Sequence, residues 1–263
     1  MSSTKSLKPH VHEDIINYVK KCMKAFECGA HDYHHVARVA NLALKIAHEE
    51  KETSVEHLDI NMTVVYVGAL FHDMLDSKLV DDGDLVQLER ELREMLDKKM
   101  GSDWNSSHTD QVMTIVKSVG YKNLIKEDWK PQEMSIEYRC VQDADTLDAI
   151  GSIGISRCFA FNGKRKRPMF DMVDASTTKL TAEEYKARQG SALEHFYDKL
   201  LRIKELMTTP TGTAMARKRH ALMTQFIEGL NEEIEDGACM EDEDDIFGNI
   251  PKLSRKSLEM YKL

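Results

Sequence analysis

Apolar residues recur along most of the chain at the three- and four-residue steps that gather side chains on one face of an α-helix. In one segment, His35, Val39, Leu42 and Ile46 follow one another at steps of four, three and four. No segment alternates polar and apolar residues as a half-buried strand does. We therefore predict an all-α fold, with helices at about residues 11–27, 30–50, 59–73, 84–98, 107–119, 135–150 with an extension to 162, 191–207 and 213–235, and a loop at 163–180.

The most apolar of these segments, residues 62–71 (MTVVYVGALF), is too short to span a bilayer and is typical of a helix buried in a core. His72 and Asp73 follow it directly, and an imidazole nitrogen beside a carboxylate oxygen suits a divalent transition metal. His35 shares a helix face with core-type residues, and Asp145 lies in the packed segment CVQDADTLDAIG. Each alone could be a hydrogen-bonded core residue. One shared divalent ion explains all of these buried polar residues together.

The composition is typical of a globular intracellular protein. The chain has 263 residues, of which 41% are hydrophobic and 31% charged, as in ordinary globular domains. Its five scattered cysteines form no C-x-x-C pair, which favours reduced thiols in an intracellular protein. The N-terminal segment has no apolar stretch typical of a secretory signal, so we expect a cytoplasmic protein without a membrane anchor.

The net charge of −9 is local, because residues 232–245 hold nine acidic and no basic residues, whereas the rest of the chain is balanced. A balanced body argues against binding to nucleic acid, which favours a basic surface. We expect residues 1–235 to form one domain. Residues 236–263, first acidic and then basic, are expected to form a mobile tail.

Four sequence motifs resemble those of the HD superfamily of metal-dependent phosphohydrolases. His35, the His72–Asp73 pair and Asp145 match its H…HD…D pattern. The similarity is greatest to the small nucleotide-pyrophosphatase-like HD hydrolases and covers about residues 12–235. The segments that carry it are HDYHHVARV at 31–39, LFHDMLDSK at 70–78, DADTLDAIGSIGISR at 143–157 and HFYDKLL at 195–201. The resemblance implies an all-α HD domain over residues 1–235, with a metal site in its core.

The resemblance also implies a function. His35, His72, Asp73 and Asp145 would hold one divalent ion (Mn²⁺, Co²⁺, Ni²⁺, Fe²⁺ or Zn²⁺), and water activated by that ion would attack phosphorus in a nucleotide or a related small phosphate ester or anhydride. Asp76 follows His72 by four residues and would act as the general base if the helix continues that far. Asp73 is then both a ligand and a catalytic residue.

Cations in or beside the motifs, namely Lys78, Arg157 and Lys199, are predicted to bind the substrate's phosphate groups. We further expect His31 and Asp32 to orient the His35 ring. The segment SVGYK and the residues Ser77–Lys78 depart from the family's usual SYSFK and LHDIxDHK, which leaves the substrate open.

Two other functions remain open. A di-iron oxygenase on the same fold would require further histidines between Asp73 and Asp145, where the chain has only His108. His108 begins a predicted helix, so we interpret it as a neighbour of the helix cap and expect a single ion. A module that binds a nucleotide without hydrolysing it is disfavoured by the complete ligand set and by Asp76. The sequence leaves open whether the protein forms a homodimer.

Overall fold

The computed structural model describes residues 9–25, 32–55, 58–75, 84–126, 129–130, 133–170 and 190–237. Throughout these ranges the regular structure is helical, which confirms the prediction of an all-α fold. A 3₁₀ helix covers Leu200–Leu206. The α-helices are α1 (Glu13–Ala25), α2 (Tyr33–Thr53), α3 (Met62–Phe71), α4 (Leu85–Lys99), α5 (Ser106–Ser118), α6 (Tyr121–Leu124), α7 (Ile136–Asp148), α8 (Gly151–Lys164), α9 (Ala192–Asp198) and α10 (Pro210–Gly237).

Helix α3 lies at the centre of the fold, packed against α2, α5 and α7. Seven of its ten residues are buried, as its almost uninterrupted apolar sequence predicts. Gly68 allows the close approach of α5, because a Cβ atom there would lie 2.8 Å from Ile115 Cδ1. The hydrophobic effect thus fixes α3 in the core, and the polar residues that follow it are carried inside with it.

Several predicted boundaries differ from the structure. Helix α3 ends at Phe71 and not at residue 73, and the helix expected at 191–207 stops at Asp198, where the non-helical Lys199 (φ −135°, ψ −58°) leads into the 3₁₀ helix. Helix α10 begins at Pro210 and not at residue 213, because proline is well suited to a first helical turn. The short α6, which follows Gly120 (φ 135°), was not predicted.

Two further expectations concern regions that the structure describes only in part. Beyond Gly237, the predicted tail lies outside the described residues, as do residues 171–180 of the predicted loop.

Three of the five cysteines, Cys22, Cys140 and Cys158, are free thiols. Within the described ranges, no helix combines the length and the apolar character needed to cross a bilayer.

The start of α10 is anchored to the core by buried carboxylates. Asp143 on α7 accepts hydrogen bonds from the backbone N–H groups of Thr208 and Thr209, at 2.9 and 2.8 Å, and from their hydroxyl groups, at 2.8 and 2.7 Å. Glu50 on α2 accepts one from the N–H of Thr211 at 2.8 Å. Negative charge is favourable at a helix N-terminus, so these contacts tie α10 to both α2 and α7.

We expect Asp143→Asn to destabilise the fold. The N–H and hydroxyl groups of Thr208 and Thr209 donate to both carboxylate oxygens, and the asparagine would replace one of these acceptors by an NH₂ group, which is itself a donor. The free energy of unfolding should fall by about 1–3 kcal/mol, measured by chemical denaturation. The control is Asp103→Asn, at an exposed position in the turn before α5, which should change it by less than about 0.5 kcal/mol. Equal stabilities for the two variants would contradict the anchoring role of Asp143.

Candidate metal centre

His72 is positioned by the way α3 ends. After Phe71 the chain forms a tight turn, in which the N–H of Met74 donates to the carbonyl of Phe71 at 2.9 Å. The His72 ring is buried, and its Nδ1 lies 2.8 Å from the carbonyl oxygen of Ala69, one turn earlier. A carbonyl can only accept, so Nδ1 carries the proton in this contact. The Nε2 atom of His72 therefore faces away from α3, toward α2 and α7.

His35 lies in the first turn of α2. Asp32 is the N-cap of this helix, and its carboxylate accepts a hydrogen bond from the backbone N–H of His35 at 2.8 Å. The ring of His35 is instead oriented by Asp148, whose Oδ2 lies 2.7 Å from Nδ1. Asp32, which was expected to orient His35, thus contacts its backbone, whereas Asp148 contacts its ring. His31 lies outside the described residues.

The structure brings all four predicted ligands, His35, His72, Asp73 and Asp145, together in the region between α2, the end of α3 and α7. The two Nε2 atoms of the histidines are 3.3 Å apart. Oxygen atoms of Asp73 lie 3.5 Å from His35 Nε2 and 3.4 Å from His72 Nε2. Asp145 Oδ1 lies 3.5 Å from each of the same two nitrogens.

These separations fit a shared divalent cation. Nitrogen and oxygen atoms at about 2.0–2.2 Å from a transition metal, at tetrahedral or octahedral angles, are about 2.8–3.6 Å from one another. His35, His72 and Asp73 each offer an atom to a group compact enough to hold such an ion. In addition, Asp73 Oδ2 is buried and accepts no hydrogen bond. A buried carboxylate oxygen without a donor needs a positive charge beside it, which a cation at this point supplies.

The charges of the cluster are strongly coupled. Burial alone would lower the pKa of His35, but its contacts with Asp145, Asp148 and Asp73 outweigh burial and raise the pKa to about 10. The pKa of His72 is also raised, against its own desolvation, by Asp73 and Asp145. Burial raises and the neighbouring histidines lower the pKa of Asp73, with a net result of about 2. The carboxylates therefore stabilise a positive charge that lies between them.

Asp148 was not predicted as a site residue, yet it joins three cations. Besides His35, its carboxylate accepts hydrogen bonds from Arg38 Nε at 2.8 Å, Arg38 Nη2 at 3.0 Å and Arg157 Nη1 at 2.6 Å. The sequence does carry a signal for it. Asp148 follows Asp145 by three residues, and Arg38 follows His35 by three, so each pair shares a helix face.

A cavity of about 490 Å³ opens beside the cluster, which is a size suited to a small-molecule ligand. Of the predicted substrate-binding residues, Arg157 and Lys199 line it. The Lys199 ammonium group lies 4.3 Å from the centre of the Tyr121 ring. Tyr121 and Lys122, which belong to the segment SVGYK, also line the cavity, as does Lys117, which the sequence did not single out.

The remaining predicted site residues, Asp76 and Lys78, lie outside the described residues. The spacing argument for Asp76 required the helix to continue past His72, and α3 ends before it. His108 takes part in a capping box at the start of α5, where its Nδ1 accepts a hydrogen bond from the N–H of Asn105 at 3.3 Å. This agrees with its interpretation as a neighbour of the helix cap.

Known proteins show the same sequence and fold features. Residues 32–150 match the family model of the HD domain. YpgQ from Bacillus subtilis is 34% identical over 208 residues, which are 79% of this chain and 86% of YpgQ.

Solved structures agree. The crystal structure of YpgQ in complex with ADP aligns with a TM-score of 0.61 and 28% identity, over 84% of this chain and 97% of YpgQ. An HD-superfamily hydrolase from Bacillus thuringiensis aligns with a TM-score of 0.58 and 29% identity, over 85% of this chain and 96% of that one.

We expect the affinity of this cluster for Mn²⁺ to rise with pH. Below its pKa of about 10, His35 holds a proton that a cation must displace. The association constant should therefore increase up to about tenfold per pH unit for each proton displaced, and level off above pH 10. Calorimetric titrations between pH 6 and 9, in buffers of different ionisation enthalpy, measure both the affinity and the released protons. His48→Gln, at a partly exposed histidine of α2, is the control and should leave this dependence intact. An affinity independent of pH would contradict the displacement of a proton.

Proposed function

The chain belongs to the HD superfamily, and from that membership we propose that it is a metal-dependent phosphohydrolase that acts on a nucleotide or a related small phosphate compound. The observation that supports this most directly is the convergence of two imidazole nitrogens 3.3 Å apart with oxygens of Asp73 and Asp145 at 3.4–3.5 Å from each, beside a cavity that contains lysine and arginine side chains. Ligands for a cation and partners for phosphate thus face the same space.

In this proposal His35, His72, Asp73 and Asp145 hold one divalent ion. When bound, such an ion lowers the pKa of a coordinated water and offsets negative charge on a phosphoryl group. The four side chains come from α2, the turn after α3, and α7, and the two histidines each have the second ring nitrogen held by a hydrogen bond, which fixes the direction of Nε2. Little rearrangement is then needed to receive the ion.

The cavity side chains would bind the rest of the substrate. Arg157 and Lys199 are proposed to contact phosphate oxygens, together with Lys78, for which only the family resemblance argues. Arginine and lysine both form charge-assisted hydrogen bonds with phosphate. The apolar residues Val116 and Ile203 and the ring of Tyr121 line other parts of the cavity, where they suit the uncharged part of a nucleotide. The relative YpgQ has been crystallised with ADP, which supports a nucleotide as the ligand.

Asp76 is proposed as the general base. Its carboxylate would take a proton from the attacking water as the new bond to phosphorus forms and the bond to the leaving oxygen breaks. This assignment depends on the resemblance of LFHDMLDSK to the family's motif, because the helical spacing that first suggested it does not hold.

A panel of nucleoside mono-, di- and triphosphates, incubated with Mn²⁺ and with the products identified, tests the proposed activity. We expect release of phosphate or pyrophosphate from at least one nucleotide. Binding without release would favour a regulatory module. Consumption of oxygen by the iron-loaded protein, with no phosphate released, would favour an oxygenase.

We expect His72→Ala and Asp145→Ala each to abolish tight Mn²⁺ binding and hydrolysis together, because each removes one of four atoms that surround the same point. Native mass spectrometry of the wild type should show about one equivalent of metal per chain. The matched control is His108→Ala, which removes a histidine of the α5 capping box and should keep both metal and turnover. Wild-type metal content in both cluster variants would contradict the ligand assignment.

Asp76→Asn separates catalysis from binding. The amide keeps the size of the side chain but cannot accept the proton, so kcat should fall ~10²–10⁴-fold while KM and bound metal change little. A kcat within a few-fold of the wild type would exclude Asp76 from the mechanism. Loss of metal together with activity would instead make Asp76 a ligand.

A further inference from the structure

Asp148 touches both functional parts of the candidate site without lining the cavity itself. Its carboxylate contacts both the ring of His35 and the guanidinium group of Arg157. We propose that Asp148 is a positioning residue that couples the metal-binding histidine His35 to the cavity cation Arg157, and that Arg38 holds Asp148 in place. This inference rests on the proposed function for the roles of His35 and Arg157.

The contact with His35 decides where the ring points. An imidazole that donates from Nδ1 to a fixed carboxylate presents Nε2 on the opposite edge of the ring, which here faces Asp73, Asp145 and His72. Carboxylates that accept from a ligating histidine also raise the basicity of the coordinating nitrogen. The short separation of 2.7 Å between Nδ1 and Oδ2 fits such a charge-assisted contact.

The contact with Arg157 uses the same oxygen. Asp148 Oδ2 lies 2.7 Å from His35 Nδ1 and 2.6 Å from Arg157 Nη1, and Arg157 Nη1 also donates to the backbone carbonyl of Asp148 at 3.1 Å. A displacement of this oxygen therefore changes both donors at once. The side chain of Arg157 is 19% exposed and lines the cavity, so its position should affect the affinity for a phosphate group bound there.

Arg38 supports the carboxylate from a third direction. Its Nε and Nη2 atoms donate to the two oxygens of Asp148, a bidentate arrangement that fixes the plane of the carboxylate. The Asp148 side chain is 5% exposed and that of Arg38 36%, so Arg38 reaches from near the surface to a buried charge. Arg38 is not among the described residues that line the cavity. We therefore expect Arg38 to affect the site chiefly through Asp148.

The test measures Mn²⁺ affinity by calorimetry and, at saturating Mn²⁺, the affinity for ADP. Asp148→Asn should weaken Mn²⁺ binding ~10–100-fold, the usual effect of removing such a supporting carboxylate. ADP binding should weaken as well, because Arg157 loses its ion pair with the carboxylate. Arg38→Gln should weaken both in the same direction but less. Arg157→Gln should weaken ADP binding and keep Mn²⁺ affinity within about threefold, which is less than 1 kcal/mol.

The matched control is Asp143→Asn, which replaces a buried aspartate of the same helix that contacts Thr208 and Thr209 and not His35. Its folded form should keep Mn²⁺ and ADP affinity, although its stability falls. The comparison separates loss of positioning from loss of stability.

Unchanged Mn²⁺ affinity in folded Asp148→Asn would overturn the inference, even if the wild type hydrolyses nucleotides. If that variant does not fold, unchanged Mn²⁺ affinity in Arg38→Gln overturns it equally. Weaker Mn²⁺ binding with unchanged ADP affinity would overturn the coupling to Arg157. A wild type that binds Mn²⁺ but hydrolyses no nucleotide would contradict the proposed function alone, since the affinities measure the positioning independently of turnover.

Discussion

The requirement that buried charge be compensated governs the centre of this protein. Three carboxylates, those of Asp73, Asp145 and Asp148, and two imidazoles meet where α2, α3 and α7 pack together. Unpaired, any one of them would cost several kcal/mol in the protein interior. They are tolerated because each lies within contact distance of opposite charge or of a ring that can take up a proton. The same need for positive charge makes the point between them suitable for a cation.

Hydrophobic packing and this polar cluster depend on each other. The apolar sequence of α3 buries the helix on all sides, and the tight turn after Phe71 then delivers His72 into the interior. Helix α2 buries one face, and His35 lies at the start of that face. The core therefore places the polar residues, whereas the contacts of His35 and His72 with carboxylates from α7 join the helices that form the core.

Sequence patterns were enough to predict most of the helices and the four clustered residues, because both depend on local spacing and on short motifs. His35 and Asp145 could be recognised as polar residues on apolar helix faces. Asp148 and Arg38 could not be ranked in the same way, since an exposed aspartate or arginine at the same spacing is common. Only the contact between residues 110 positions apart shows their pairing. The end of α3 was likewise misplaced because it depends on backbone contacts within the turn and not on hydrophobicity.

Helix α7 shows how a short segment can serve fold and site at once. Successive residues of a helix are about 100° apart, so Asp143 and Asp145 are turned by about 200° from each other, while Asp148 returns to within about 60° of Asp145. Asp143 accordingly faces Thr208 and Thr209 and anchors α10. Asp145 and Asp148 face the histidines. The spacing of three aspartates over six residues thus divides them between two opposite faces. A change that rotated α7 would therefore disturb the anchor and the site together.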